Sequence, residues 1–585
     1  MDAQNTKNLI LAMVLSFLVL FGWTLLFPPP EIDQTQIETK TTVLNDSKKI
    51  KSDGLIPSVS GTSETSLVAE RVKINTKRLS GSIWLKGGRI DDLGLNDYKV
   101  SLKSDASTVT LLERDYLIHY GWQDNNRLLK AADLPGPNTI WELKSGTILT
   151  ENSPITLQWS NSKGLIFQRL IEVDENYMFK ITQQVSNSSN QSYELQPYGV
   201  IQRNGRPDTI GFFILHEGVV EMSDKALNET TYKKMSKEVK LNSTNTEWAG
   251  FTDKYWMTTL ISEPGSSFKS KKAFDEDMDR YLIEVRSKEK IINPNSITSN
   301  ITFLFAGAKE VSTIKSYEKD LKIYHFIDSV DWGWFFFLTK PIFSLLEIFN
   351  SYINNMGWSI ILLTLFIKTL LLPLAYKSFV SMSKLKKLQP EMEKIKERAG
   401  DDRMKLQQEM MNLYKTQKVN PAAGCLPILL QIPIFFSLYK VLFVTIEMRH
   451  APFIGWIKDL SAPDPTSFLN LFGLLPYSTP GPESIFGIIS IGVYPILMGI
   501  TMWMQQKLNP TPTDKTQAMI FAWMPWIFMF MLGQFSSGLV IYWVANNTIQ
   551  FIQQYLIMTS QGVKPDVFGN IVSSLKPSRP DKEKR

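Results

Sequence analysis

The positions of hydrophobic and polar residues divide this 585-residue chain into two halves. Between residues 67 and 325, apolar side chains alternate with polar ones, which is the period of half-buried strands. The clearest alternating runs are Ile155, Leu157 and Trp159; Tyr177, Phe179, Ile181 and Val185; and Ile301, Phe303 and Phe305. This half therefore predicts a large antiparallel β-sandwich.

Long apolar runs occur instead at the N-terminus and in residues 331–560. A helix needs about 20 apolar residues to cross the hydrocarbon core of a bilayer. The predicted spans lie within residues 1–27 and near 358–376, 425–446, 485–503, 518–534 and 539–557. The predicted fold class is an α-helical polytopic membrane protein with six spans, joined to an all-β domain.

The first apolar run, Leu9 to Phe27, is longer than the core of a typical signal peptide. Pro28, Pro29 and Pro30 follow it where a cleavage site would need small residues. An uncleaved anchor over residues 1–27 is therefore favoured, with a cleaved signal peptide as the alternative. Residues 28–66 are rich in Thr, Ser, Asp and Lys, which predicts a flexible linker.

Residues 332–353 combine a dense aromatic cluster, Trp334 to Phe337, with Lys340, Pro341 and Glu347. This composition predicts an amphipathic helix that lies in the membrane interface. A spanning helix is the alternative, but the polar residues leave too short an apolar run.

Charge determines the predicted orientation. The formal net charge of +6 is modest, and within residues 331–585 the basic residues are concentrated in residues 377–420 and in the tail, residues 559–585. Arg449 and Lys458 are the basic residues between the third and fourth spans. Because Lys and Arg accumulate on the cytoplasmic side, both termini are predicted inside and the β-domain outside. This distribution does not indicate nucleic-acid binding, and the single cysteine, Cys425, excludes an intrachain disulfide.

Residues 377–420 also carry a helical period. Leu385, Leu388, Met392, Ile395 and Ala399 precede Gly400, and Leu406, Met410, Leu413 and Gln417 follow it. The pattern predicts a cytoplasmic helical hairpin. Its basic residues form either an ordinary solvated surface or a docking face for a client or the ribosome. These residues are Lys384, Lys386, Lys387, Lys394, Arg398 and Arg403.

Lys368 is the residue most indicative of a site, because it lies within the apolar second span. A charge at this depth costs about 2.5 to 3.5 kcal/mol on insertion scales and usually faces a wet cavity. Thr364 lies on the same helix face, and Gln431 lies in the third span. Tyr542, Asn546 and Gln550 form a second polar stripe, which Gln553 and Gln554 extend. A shared hydrated groove is favoured over a dry bundle with interhelical hydrogen bonds, because no predicted span contains an acidic residue.

Other function classes lack their signatures. The four histidines, His119, His216, His325 and His450, all lie outside the predicted spans, and no protease or metal motif is visible. His119 and His216 are interpreted as ordinary packed or surface residues. Neither inverted repeats nor membrane acids indicate a secondary transporter. No enzymatic activity, cofactor or metal is predicted.

The chain resembles the YidC family of membrane protein insertases between residues 356 and 558. Four stretches carry the resemblance: LQPEMEKIKERAGDD, QQEMMNLYKTQKVNPAAGCLPILLQIPIF, RHAPFIGWIKDLSAPDP and SSGLVIYWVANNTIQFIQQ. The N-terminal anchor and large outer domain are similar to the Gram-negative type. The resemblance implies a bacterial inner-membrane protein with a periplasmic β-supersandwich. It also implies a five-helix core whose hydrophilic groove is open to the cytoplasm and to lipid.

The resemblance also implies a function. The groove receives the polar part of a nascent inner-membrane protein, while its apolar segment slides into lipid between the third and fifth spans. Cooperation with the Sec translocon is implied, and the ribosome and signal recognition pathway are further candidate partners, with membrane lipids. A folding chaperone without autonomous insertion remains the alternative, followed by a transporter. The candidate exit residues are Ile432, Pro433, Phe435, Phe436, Trp526 and Phe528.

Three features depart from the family pattern. Lys368 occupies a position where arginine is usual, so the charge is kept but the two-pronged guanidinium is lost. Lys440 stands in the third span where an aromatic residue is more typical. Residues 467–484 form an extended connection with Gly and Pro before the fourth span, and the sequence assigns it no role.

Overall fold

The computed structural model describes residues 70–563 with gaps at 212–213, 238–240, 401, 418, 420–425, 481–486, 488 and 511–514, together with residues 565 and 567. The predicted anchor (1–27), the linker (28–66), Cys425 and most of the tail lie outside the described residues. The chain divides into two compact units. One is the β unit, which covers the described residues up to Asp331 and also Val444–Ile446, and the other is the helical unit, which covers Trp332–Phe443 and the described residues from Glu447 onwards.

The β unit contains nineteen strands among the described residues. Their bounds are β1 Arg71–Asn75, β2 Leu79–Trp84, β3 Arg89–Lys99, β4 Thr108–Leu112, β5 Tyr116–Gln123, β6 Glu142–Ser145, β7 Ile148–Leu149, β8 Ile155–Ser160, β9 Leu165–Val173, β10 Met178–Asn187, β11 Tyr193–Asn204, β12 Gly218–Ser223, β13 Ala226–Thr231, β14 Leu241–Thr252, β15 Trp256–Ser262, β16 Phe268–Asp275, β17 Arg280–Arg286, β18 Lys290–Ile292 and β19 Ser296–Ala308. Two short helices accompany them, α1 Tyr232–Lys237 and α2 Val311–Asp320.

Antiparallel pairing connects these strands into a β-sandwich, as predicted. One ladder runs β3, β5, β11, β17, β16, and another runs β8, β9, β10, β19, β15. Side chains cross between the two layers: Arg169 in β9 donates from Nη2 to the carbonyl of Tyr120 in β5 at 2.7 Å. Alternate residues of β9 are buried, which is the period of two expected for a strand with one face in the core.

Of the three apolar residues that alternate in β19, Phe305 is fully buried, whereas Ile301 and Phe303 are only partly covered. Thr302 and Leu304, which lie between them, are buried. β19 is a central strand, pairing with β10 on one side and β15 on the other, and both of its faces are buried from Leu304 to Ala308. In such a strand the alternation of apolar residues does not identify the more buried face.

The helical unit contains the helices of the second half of the chain. Their bounds are α3 Phe336–Ile353, α4 Met356–Leu370, α5 Leu372–Ala399, α6 Arg403–Thr416, α7 Leu426–Val444, α8 Val493–Leu508, α9 Lys515–Leu532 and α10 Ser537–Ser560. By length and hydropathy, no single helix among the described residues suffices to cross a membrane. The pair α4 and α5 passes the same test together, with a bend of 68° between them.

Two predicted spans differ in their bounds from the observed helices. The run predicted near 358–376 does not form one straight helix, because α4 ends at Leu370 and α5 begins at Leu372 with Pro373 in its first turn. Proline lacks an amide hydrogen, so it suits a new helix start but not the interior of a continuing helix. The helix predicted near 485–503 begins only at Val493 and continues to Leu508.

α3 has the amphipathic pattern predicted for residues 332–353, although the helix itself begins at Phe336. Ile342, Phe343 and Leu346 are buried on one face, whereas Phe336 and Phe337 are exposed. Trp334, just before the helix, is 93% exposed. The placement of this helix in a membrane interface stays a prediction.

α5 and α6 form the predicted hairpin. Gly400 ends α5 with a φ of +54°, and Asp402 caps α6 by accepting a hydrogen bond from the amide of Lys405 at 3.0 Å. A φ in this region favours glycine, because other side chains clash with the backbone there. Leu385 and Leu388 form the buried seam together with Val419, against which Met392 and Tyr414 pack.

Candidate functional site

Lys368 lies in the last turn of α4, and only 8% of its surface is exposed. α4 begins at a capped end, since the Asn355 side chain accepts a hydrogen bond from the amide of Trp358 at 3.1 Å. Four residues before the lysine, Thr364 is buried on the same face and donates from its hydroxyl to the Ile360 carbonyl at 2.7 Å. The polar atom of Thr364 is therefore satisfied by its own helix.

The Lys368 ammonium is held by side-chain amides from two other helices. Its Nζ donates to Gln431 Oε1 in α7 at 3.1 Å and to Gln550 Oε1 in α10 at 2.8 Å. Gln431 in turn donates from Nε2 to the Tyr542 hydroxyl at 2.9 Å. Within the described part of the chain, no carboxylate forms a salt bridge with Lys368. An ammonium has three donors, so two amide acceptors leave one donor for water or a bound group.

These residues border a cavity of about 470 Å³ within the helical unit. Its polar lining is formed by Lys368, Gln431, Gln505, Tyr542, Asn546, Asn547, Gln550 and Gln553. Its apolar lining is formed by Leu371, Leu374, Ala375, Phe379, Leu430, Ile432, Phe435, Phe436, Met498, Met502, Phe528, Leu532 and Trp543. The volume would hold several water molecules or a short polar segment of another chain.

Asn546 presents an unsatisfied acceptor in this lining. Its Nδ2 donates to Asn547 Oδ1 at 3.2 Å, but its own Oδ1 is buried and has no hydrogen-bond partner in the described structure. A buried amide oxygen left without a donor costs about 1 to 3 kcal/mol. Water or a guest molecule in the cavity would supply the missing donor, because Asn546 borders the cavity directly.

The structure brings together most, but not all, of the predicted groove residues. Lys368, Gln431, Tyr542, Asn546 and Gln550 border the cavity, whereas Thr364 does not. Sequence reasoning missed the contribution of α8, which supplies Met498, Met502 and Gln505. These three residues follow the four-plus-three spacing of one helix face, which could have indicated their shared direction.

Some of the predicted exit residues border the cavity and others do not. Ile432, Phe435, Phe436 and Phe528 border the cavity, whereas Pro433 and Trp526 do not. Aromatic contacts organise this side: Phe435 stacks on Trp543 of α10 with ring centroids 5.4 Å apart and contacts Phe436 at 5.5 Å. The apolar lining therefore includes residues of α7 and α9, and the role of these residues as an exit path stays a prediction.

The basic residues of the hairpin have different surroundings. Lys386 Nζ donates to the carbonyl of Lys507 at 3.0 Å, and Lys387 Nζ donates to the carbonyl of Gln561 at 2.7 Å. Both acceptors lie at helix C-termini, where cations are favourable. Burial lowers the pKa of Lys386. Lys384, Lys387, Lys394 and Arg398 are exposed, and Arg398 Nη1 lies 3.9 Å from Glu409 Oε2 across the hairpin. The side chain of the predicted Arg403 lies outside the described part of the structure.

Sequence comparisons match both units. Residues 71–345 match the family described as the YidC periplasmic domain, and residues 348–564 match the 60Kd inner membrane protein family. Proteins named membrane protein insertase YidC from Roseobacter denitrificans and Dinoroseobacter shibae are each 53% identical to this chain. The alignments cover 99% and 100% of this chain, respectively, and 100% of each relative.

A solved structure of an active YidC insertase, with its first transmembrane domain resolved, aligns with 83% of this chain and 92% of its own. The identity is 17% and the TM-score is 0.35, a value too low to support an argument. The β-sandwich, the helical unit and the two family matches define the class, an inner-membrane protein with a periplasmic domain. The chain belongs to the YidC family.

Proposed function

We propose that this chain is a membrane protein insertase and chaperone, which inserts inner-membrane proteins and helps them to fold. One observation carries the proposal: the buried Lys368 ammonium is held by two neutral amide oxygens at the wall of a cavity. Because both acceptors are neutral, the positive charge of Lys368 is not compensated. The site can therefore attract a carboxylate of a client without first breaking an existing ion pair.

The expected interaction energy suits transient binding of an acidic client tail to Lys368. At an effective dielectric constant of 20, two unit charges of opposite sign 4 Å apart attract by about 4 kcal/mol. This attraction would offset part of the free energy that an acidic client tail loses when it leaves water for the cavity. The apolar residues of α7 and α9 would meanwhile contact the client's hydrophobic segment, which is as apolar as lipid and gains nothing from remaining in the groove.

The proposed topology follows from the charge distribution. We infer six spans, with both termini and the α5–α6 hairpin in the cytoplasm and the β unit in the periplasm. In this orientation a nascent chain meets the exposed Lys384, Lys394 and Arg398 of the hairpin before it reaches the cavity. The clients are nascent inner-membrane proteins, and the Sec translocon, the ribosome and the signal recognition pathway are proposed partners.

Reconstitution of the purified chain into vesicles without translocon tests the proposal. Paired clients that differ only in the charge of a short N-terminal tail should insert, and Lys368→Arg should preserve insertion. Lys368→Glu should reduce insertion of the acidic-tailed client at least about tenfold, because attraction becomes repulsion. Equal insertion of both clients by the Lys368→Glu protein would refute the receiver role. Folding assistance without any insertion by the unmodified chain would support a chaperone instead.

A further inference from the structure

The connection between α7 and α8 contains a loop with both ends fixed at the start of α8. Phe468 donates from its amide to the Ile491 carbonyl at 3.0 Å, and the Ser490 and Ser467 hydroxyls are 3.0 Å apart. Val493, the first residue of α8, donates from its amide to Thr466 Oγ1 at 3.1 Å. The connection from Phe468 to Ser490 therefore starts and ends at one place, and residues 468–477 within it are here called the apolar loop.

The apolar loop exposes large hydrophobic side chains. Leu474 is 82% exposed, and the other exposed members are Phe468, Leu471, Phe472, Leu475 and Tyr477. No residue between Asp464 and Glu483 carries a formal charge. Hydrophobic area in water is unfavourable by about 25 cal/mol per Å², and contiguous patches of this kind mark interaction surfaces.

The backbone of the apolar loop turns these side chains outward at a conformational cost. Leu471 and Phe472 adopt consecutive left-handed conformations, with φ of 51° and 58°. For residues other than glycine, this region costs about 1 to 2 kcal/mol each. Burial of the exposed side chains in an apolar medium would offset the cost.

Several polar groups of the apolar loop have hydrogen-bond partners within the loop or at its start. Phe472 donates from its amide to the Ser467 carbonyl at 2.7 Å, and Leu475 donates to the Asn470 carbonyl at 3.0 Å. The Asn470 side chain accepts from the Gly473 amide at 3.0 Å and donates to the Tyr477 carbonyl at 3.3 Å. The Tyr477 hydroxyl also donates to the Leu469 carbonyl. Internal hydrogen bonds of this kind lower the cost of placing a backbone in lipid, where no water is available.

Aromatic residues mark the level at which the apolar loop begins. The ring of Phe453 lies 5.4 Å from that of Trp358 and 6.2 Å from that of Tyr494. Trp456 contacts Tyr494 and donates from Nε1 to Asp464, which also accepts from the Tyr494 amide. Trp and Tyr gather at the boundary between lipid and water. Trp358 and Tyr494 lie in the first turns of α4 and α8, so the loop is attached at the boundary end of these helices.

We propose that the apolar loop inserts into the outer leaflet of the inner membrane and anchors the periplasmic end of α8 there. The partner is the glycerol and upper acyl-chain region of phospholipids, whatever their headgroup, because the loop has no charge with which to select one. The inference uses the membrane orientation given under Proposed function, but it does not depend on Lys368 or on the cavity.

The test uses the full chain with Cys425→Ser, reconstituted in vesicles of phosphatidylethanolamine and phosphatidylglycerol. A single cysteine introduced by Leu474→Cys carries an environment-sensitive fluorophore, and Lys458→Cys provides the matched control. Lys458 is exposed in the same connection, before the apolar loop. Nitroxide-labelled lipids should quench the fluorophore at position 474 at least about twofold more than at 458, and aqueous iodide should show the reverse order.

Quenching at position 474 by iodide alone would overturn the proposal. Protection from both quenchers would also overturn it, because it would mean that protein covers the loop, either a second copy of the chain or another partner. As an independent variant, Leu475→Asp should move the fluorophore at 474 out of lipid and make it accessible to iodide. An insertion assay on the same vesicles separates the two proposals, since loss of client insertion with lipid quenching retained would count only against the proposed function.

Discussion

Arg169 in the β unit and Lys368 in the helical unit are both buried cations without a salt-bridged carboxylate among the described residues, but their surroundings differ. Arg169 is 1% exposed and donates to the carbonyls of Gly88 at 2.6 Å and Tyr120 at 2.7 Å. Its guanidinium lies 4.6 Å from the centre of the Trp141 ring. Lys368 borders a cavity, whereas Arg169 is enclosed by fixed backbone and aromatic groups. Burial of a charge therefore does not by itself indicate a functional site, because the adjoining accessible volume distinguishes the two.

The largest expected effect concerns Arg169. Arg169→Met should destabilise the β unit by about 3 kcal/mol, because two buried carbonyls lose their donors. Hydrogen exchange of β5 and β9 in the full-length protein would measure the loss. Lys180→Met, which removes an exposed ion pair with Glu172 on the adjacent strand, should change stability by less than about 1 kcal/mol. Equal protection in both variants would contradict a structural role for Arg169.

The same region predicts a dependence of stability on pH. Burial, assisted by the charges of Arg169 and Arg89, lowers the pKa of His119 to about 3. The unfolded chain takes up this proton below a pH of about 6.5, so the β unit should lose stability progressively as the pH falls from 6.5 to 3. At pH 5 the loss should be about 2 kcal/mol. Pulse proteolysis in urea at pH 7 and pH 5 would measure it, and His119→Gln should show a smaller difference between the two pH values.

Replacement of Lys368 should lower insertion and leave stability nearly unchanged, whereas replacement of Arg169 should lower stability. Lys368→Met should leave the stability of the helical unit nearly unchanged, because water in the cavity can donate to the released Gln431 and Gln550 oxygens. Insertion of an acidic-tailed client should fall about tenfold, which corresponds to about 1.4 kcal/mol. Thermal unfolding and insertion are measured on the same preparation. Unfolding of the variant would place Lys368 with Arg169 as a structural cation.

The smallest expected effect on insertion distinguishes a residue that accepts a hydrogen bond from Lys368 from a neighbour on the helix of Lys368 whose hydroxyl is bonded elsewhere. Gln550→Leu should lower insertion of an acidic-tailed client about threefold, because the ammonium loses the acceptor at 2.8 Å and its position becomes less defined. Thr364→Val should have no measurable effect on insertion, since its hydroxyl is bonded within its own helix. A larger loss with Thr364→Val than with Gln550→Leu would show that the hydrogen-bond pattern does not describe the working groove.

The prediction from sequence was most successful for polar or charged residues that lie in otherwise apolar segments. A lysine in an apolar helix, a glutamine in the third span and a repeated polar stripe in the sixth identified six of the cavity-lining residues: Lys368, Gln431, Tyr542, Asn546, Gln550 and Gln553. The spacing could not tell whether Thr364 would face the cavity or bond to its own backbone. Nor could it distinguish Lys384 from Lys386 and Lys387, because the carbonyls that these two bind belong to distant helices.

The sequence by itself determined the two classes of structure, because strand and helix periods are local properties and the apolar runs contrast with the polar half. It also determined the family, through motifs that are recognised from the order of residues alone. Only the tertiary structure decided which polar groups share one cavity, how Arg169 is accommodated and where the helix bends between α4 and α5. These features depend on groups far apart in the chain, such as Lys368 and Gln550, whose meeting is set by packing rather than by local sequence.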